Sequence, residues 1–174
     1  IGEISLFIAM FYIGAVVTQY PLGWLSDRMD RRILIFIVSA TATAGAIVGI
    51  MFPEDINPLL VSAFVVGGAT NPLYSLLLSH TNDFLSREDM ASASAGLLFV
   101  NGLGAVIGPI AIGWLMTSLG GWAFFLFIGV LMTAMSLYAA YRMTVRAAPS
   151  VEETATFAPI LPTSSTVAIE AAQE

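Results

Sequence analysis

The 174 residues are 57% hydrophobic and 10% charged, with a formal charge of −6 and a mean hydropathy of +0.87. That is too little polar surface to cover a water-soluble globule of this length, so the composition predicts an integral membrane protein. Cysteine is absent, which excludes disulfides, thiolate metal sites and cysteine nucleophiles.

The first predicted span covers residues 2–25, and its Ser5, Tyr12 and Gln19 recur every seven positions on one helical face. Such a face is expected to avoid lipid. Pro21 frees the carbonyl of Val17 and predicts a kink. The second span, 32–52, is Ile, Val and Phe with small residues, and is expected to face mainly lipid. The segment 53–58 then breaks the helix with two prolines and two acids.

The third span, 58–84, keeps polar residues at membrane depth. Asn71, Ser75, Ser79 and Asn82 form a stripe, and Gly67, Gly68 and Pro72 predict an unwound stretch at its head. Ser86 to Asp89 has the spacing of a capping box for the fourth span, 87–118. That span carries Asn101 and a Gly104-x-x-x-Gly108-Pro109 element suited to close helix contact. The fifth, 122–141, has aromatic residues at both ends, as membrane interfaces favour.

Arginine is the one cation type, and three of its six copies crowd the turn between the first two spans. The others, Arg87, Arg142 and Arg146, follow the third and fifth spans, and neither intervening loop has a cation. The positive-inside rule then places the N-terminus outside and the C-terminus in the cytoplasm. Residues 147–174 hold three prolines, a Thr-Ser-Ser-Thr run and four acids, which predicts a disordered cytoplasmic tail after a bundle over 1–146.

One histidine, no paired carboxylates within the spans and no phosphate-cradling glycine loop provide no catalytic constellation, so neither enzyme activity, cofactor nor metal is expected. Three arginines mixed with acids are poor material for a nucleic-acid surface. Two functions stay open on the residues: a transporter, and a non-transporting membrane sensor or assembly protein on the same scaffold. Polar, proline-interrupted helices at mid-depth favour the first, with Tyr12, Gln19, Asn71, Ser75 and Asn101 as candidate substrate path.

The arginine turn reads Gly23-x-Leu25-x-Asp27-Arg28-x-x-Arg31-Arg32, which resembles the cytoplasmic signature loop of the major facilitator superfamily. Asp30 stands where that signature has glycine. The run from 79 to 83, Ser-His-Thr-Asn-Asp, looks most like the YcaD-like branch. The resemblance implies an all-α membrane protein holding five helices of a six-helix half, with the Gly104 to Pro109 element on the fifth helix of that half. It implies a gate role for Gly23, Asp27, Arg28, Arg31 and Arg32, with packing or kink roles for Pro21, Pro72, Gly104, Gly108 and Pro109. A secondary transporter working by alternating access on a small-molecule substrate, in a bacterial inner membrane, is the function implied. The partners would be the lipid bilayer and the missing half of the same transporter. The start at Ile1 inside an apolar run predicts a fragment, read as the C-terminal half because the tail follows the fifth span; a truncated N-terminal half is the alternative.

Overall fold

Apolar runs of this length can satisfy their backbone groups inside a bilayer only as helices or closed barrels. The computed structural model describes residues 2–85 and 87–145, and among these it forms five α-helices. They are α1 (Gly2–Ser26), α2 (Arg31–Met51), α3 (Ile56–Asn82), α4 (Arg87–Leu119) and α5 (Ala123–Val145). All five are long and apolar enough to cross a membrane. Even α2, with 21 residues, reaches about 31 Å at 1.5 Å per residue, the thickness of a hydrocarbon core. Ser86, Arg146 and the tail 147–174 lie outside the described residues, so the capping serine and the expected disordered segment are not part of this description.

The helices do not share the packing equally. α3 sits between α1 and α2, and α2 sits between α3 and α5, while α4 packs lightly, mainly on α5 and α3. One core cluster gathers Leu34, Ile35, Val38, Leu73 and Leu76 with Ala139 of α5. A second, toward the other end, joins Ala46, Val66 and Phe125 to Phe7 and Phe11. Phe7 meets Phe124 and Phe125 edge-on, with ring centroids 6.1 and 5.9 Å apart.

Two expectations are corrected here. α2 does not face mainly lipid: Ser39, Ala42, Gly45, Ala46 and Gly49 recur at three- or four-residue spacing and are all buried. Phe125 lies against Gly49, and Ser62 of α3 donates to the Gly45 carbonyl at 2.7 Å. Composition could not separate a lipid-facing helix from this one, because small residues also let neighbouring backbones approach. The second correction is in α3, which is continuous through Gly67, Gly68 and Pro72 rather than unwound.

The reason for that continuity is specific. Proline at 72 removes the donor that would have reached the Gly68 carbonyl. Thr18 of α1 replaces it, its hydroxyl donating to that carbonyl at 2.6 Å. The approach that permits this bond is made by Gly14 and Gly67, since a Cβ at either would collide with the backbone carbonyl of Phe64 or of Phe11 respectively. Thr18→Val keeps the side-chain shape and removes the donor. It should destabilise the folded bundle by about 0.6–1.7 kcal/mol, the range for hydrogen bonds between membrane helices, measured as a shift in unfolding midpoint in detergent. An unchanged midpoint would mean that water serves the carbonyl equally well.

Candidate functional site

The arginine turn folds into a short link between α1 and α2, closed by Asp27 N–H donating to Gly23 O at 3.3 Å and Arg28 N–H to Leu25 O at 3.0 Å. Asp30, at the position where the resembled signature has glycine, has φ −55°, so no left-handed residue is needed there. Its carboxylate instead caps α2, accepting from the Arg32 N–H at 2.9 Å, and holds the Arg32 guanidinium at 2.8 Å. Burial alone would raise the Asp30 carboxyl. The hydrogen bonds from the Arg32 side chain and backbone, with the Arg32 charge, outweigh that and hold it below its ordinary value of 3.8.

A carboxyl depressed in the folded state stabilises fully above its unfolded pKa and loses that contribution as pH falls through the folded one. Stability from Asp30 should therefore be constant at neutral pH, start to decline as pH approaches the ordinary value of 3.8, and be lost as pH falls on through the lower folded-state value. Asp30→Asn retains a capping side chain but removes the ionisation, so it should flatten the acid limb of a stability–pH profile. An identical acid limb in parent and variant would rule the contribution out.

Arg31 is the centre of the site. Its side chain is 1% exposed and reaches three helix ends. Nε donates to Ser26 Oγ at 3.1 Å, Nη1 donates to the Ser79 carbonyl at 3.2 Å and pairs with Asp83, and Nη2 lies 3.6 Å from Asp27 Oδ1. The Asp83 side chain is 3% exposed, so this is a buried ion pair. Each charge lies at the disfavoured end of its own helix: Arg31 opens α2, where the dipole is positive, and Asp83 follows α3, where it is negative. Pairing across the helices relieves both. The planar guanidinium fork is what allows one residue to serve a hydroxyl, a carbonyl and two carboxylates together.

Asp27, the acid of the signature, lies beside Arg31 of its own turn, and its side chain remains 31% exposed. Arg28 turns to Trp24, with its guanidinium carbon 4.1 Å from a ring centroid and Nη1 donating to the Trp24 carbonyl at 3.1 Å. Gly23 is buried. Asp83 and Ser26 were not singled out from the sequence as members of this site. The signal available was an acid four residues beyond Ser79 at the end of a span otherwise free of carboxylates.

The candidate path residues are more dispersed. Tyr12 is 60% exposed, Gln19, Asn71 and Asn101 are partly exposed, and Ser75 is buried among the helices. The Asn71 amide donates to the Gly67 carbonyl one turn back, at 3.1 Å. Pro21 and Pro109 lie inside continuous helices. A Cβ at Gly104 or Gly108 would meet nothing within 4 Å among the described residues. In this chain the close crossing is made by Gly14 and Gly67 instead. No group of histidine and carboxylate side chains suited to a metal occurs among the described residues.

A model of the Major Facilitator Superfamily matches residues 1–171. The chain belongs to this superfamily. Among its relatives, the MFS-type transporter YfkF of Bacillus subtilis (strain 168) is 26% identical over 141 residues, covering 79% of this chain and 35% of the relative. A triacylglyceride transporter of Mycolicibacterium smegmatis is 30% identical over 118 residues, 66% of this chain and 21% of the relative. The MFS-type transporter C18.02 of Schizosaccharomyces pombe is 26% identical over 128 residues, 70% of this chain and 27% of the relative. The chain thus spans a third or less of most of these superfamily members, and its five helices and arginine turn are similar to one part of each. Membership makes it a multi-pass membrane protein of a transporter family, embedded in a lipid bilayer.

Proposed function

We propose that these five helices belong to the C-terminal half of a secondary transporter that moves a small solute by alternating access, with the arginine turn as part of its cytoplasmic gate. The observation that carries this reading is the buried Arg31, which ties the ends of α1, α2 and α3 together while leaving Asp27 partly exposed beside it. A rigid, charge-locked corner presenting one carboxylate is suited to engage a helix N-terminus in the other half. An anion at such a terminus gains about 0.3–1 kcal/mol when exposed and up to about 2 when partly buried. That biases a two-state gate by about twofold at the low end and about thirtyfold at the high end.

In this reading α1, α3 and α4 border the cavity and α2 and α5 form the outer wall, with the gate end and the C-terminus cytoplasmic in a bacterial inner membrane. Tyr12, Gln19, Asn71, Ser75 and Asn101 supply hydroxyls and amides but no charge, which fits a neutral solute. Gly104 and Gly108 receive a helix from the rest of the transporter. A lipophilic cargo is the second reading, favoured by the triacylglyceride transporter among the relatives and by the apolar exposed faces of α1 and α4.

The test is transport by the full-length protein with Asp27→Asn, which preserves shape and removes charge. Turnover should fall while expression holds, and a cysteine in the cytoplasmic cavity should label faster. Transport and labelling equal to the parent would remove Asp27 from the gate. Retention of a lipophilic dye in cells lacking the protein, but not of hydrophilic solutes, would select the second reading.

A further inference from the structure

A cavity of about 340 Å³ opens where the ends of α2, α3 and α5 meet, on the far side of the bundle from α1. Its polar lining is Arg32, His80, Thr81, Tyr138 and Arg142, and among the described residues no carboxylate lines it. Arg32 is held by Asp30, but Arg142 has no ion pair among the described residues.

The lining changes character in the same direction on all three helices. On α2, Ile35 lies deeper than Arg32; on α3, Leu77 lies deeper than His80; on α5, Met135 lies deeper than Tyr138 and Arg142. The cations lie at the surface end, where Phe84 and Leu85 also line the cavity, and the floor toward the membrane interior is apolar, a combination matched by an amphiphile, not by a soluble ion. Basic pockets between membrane helices are established sites for anionic headgroups.

We propose that this cavity binds an anionic glycerophospholipid, with the phosphodiester held by Arg142 next to Arg32 and His80, and the upper acyl chains lying over Ile35, Leu77 and Met135. Arg142 supplies a charge that has no ion-pair partner among the described residues. Arg32 is fixed in place beside it by the Asp30 carboxylate.

The experiment is native mass spectrometry of the purified full-length protein, delipidated and then titrated with phosphatidylglycerol or phosphatidylcholine. Phosphatidylglycerol should be retained in preference. Arg142→Gln should lower its retention about fivefold, the effect of one basic side chain at a membrane surface, whereas Arg142→Lys should keep most of it. Met135→Trp fills the apolar floor with every charge in place, and should also lower retention. Arg28→Gln removes an equal charge outside the cavity and should leave retention at the parent level. Parent-like retention by both Arg142→Gln and Met135→Trp would overturn the proposal. So would an equal loss in Arg28→Gln, which would indicate a diffuse surface charge. Displacement of the bound lipid by inorganic phosphate as effectively as by phosphatidylglycerol would overturn it too, reducing the cavity to a simple anion site.

Discussion

Arg31→Ala in the full-length protein should cost about 3–5 kcal/mol of stability, because it strands the buried Asp83 carboxylate and unties three helix ends at once. Asp83→Ala should cost a similar amount for the mirrored reason. The instructive comparison is the double replacement Arg31→Met with Asp83→Leu, which removes both charges and leaves apolar volume behind. It should recover much of the loss, since a buried ion pair is expensive to break but not expensive to replace as a whole. Stability would be read as an unfolding midpoint in detergent, and transport alongside it. If the gate reading holds, the double variant should fold and yet transport poorly, because the corner that orients Asp27 is gone. A single variant costing under about 1 kcal/mol would mean that the pair is solvated and the corner soft.

The second large effect is expected at the crossing of α1 and α3. Gly67→Ala adds one methyl group directly against the Phe11 backbone, and Gly14→Ala does the same against Phe64. Side chains can swing away from an intruding methyl, but a helix backbone can only move as a body. Either change should therefore cost at least the 1–3 kcal/mol typical of overpacking, and it should also weaken the Thr18 bond to the Gly68 carbonyl by moving the helices apart. The pair Gly67→Ala with Thr18→Val should consequently cost less than the sum of the singles. Additive losses would show that the bond survives the displacement, and a midpoint unchanged by Gly67→Ala would refute the crossing itself.

Span positions were legible because length and apolar content decide them, and every predicted span overlaps a helix with ends shifted by a few residues. The arginine turn was legible because its residue types and spacing are unusual. Its strongest contact was not, since Arg31 and Asp83 are 52 residues apart and no local pattern joins them. The unwound stretch in the third span failed for a similar reason: proline predicts a freed carbonyl, but not that a threonine on another helix will take it. The central place of α2 lay in the sequence as the series Ser39, Ala42, Gly45, Ala46 and Gly49, obscured by the Ile and Val around it.

The packing of α2 against α5 also sets an order of assembly. Its contact with α3 is between consecutive helices, so that face can close as soon as α3 is made. The other face must wait for α5. Gly49 and Phe125 are separated by about 75 residues, which at about 5–20 residues per second is several seconds of synthesis. Through that interval the groove of small residues on α2 lies open to lipid or to a neighbouring helix. A chain interrupted after α4 would keep it open indefinitely, offering Ala46 and Gly49 to whatever chaperone or protease surveys unfinished membrane proteins.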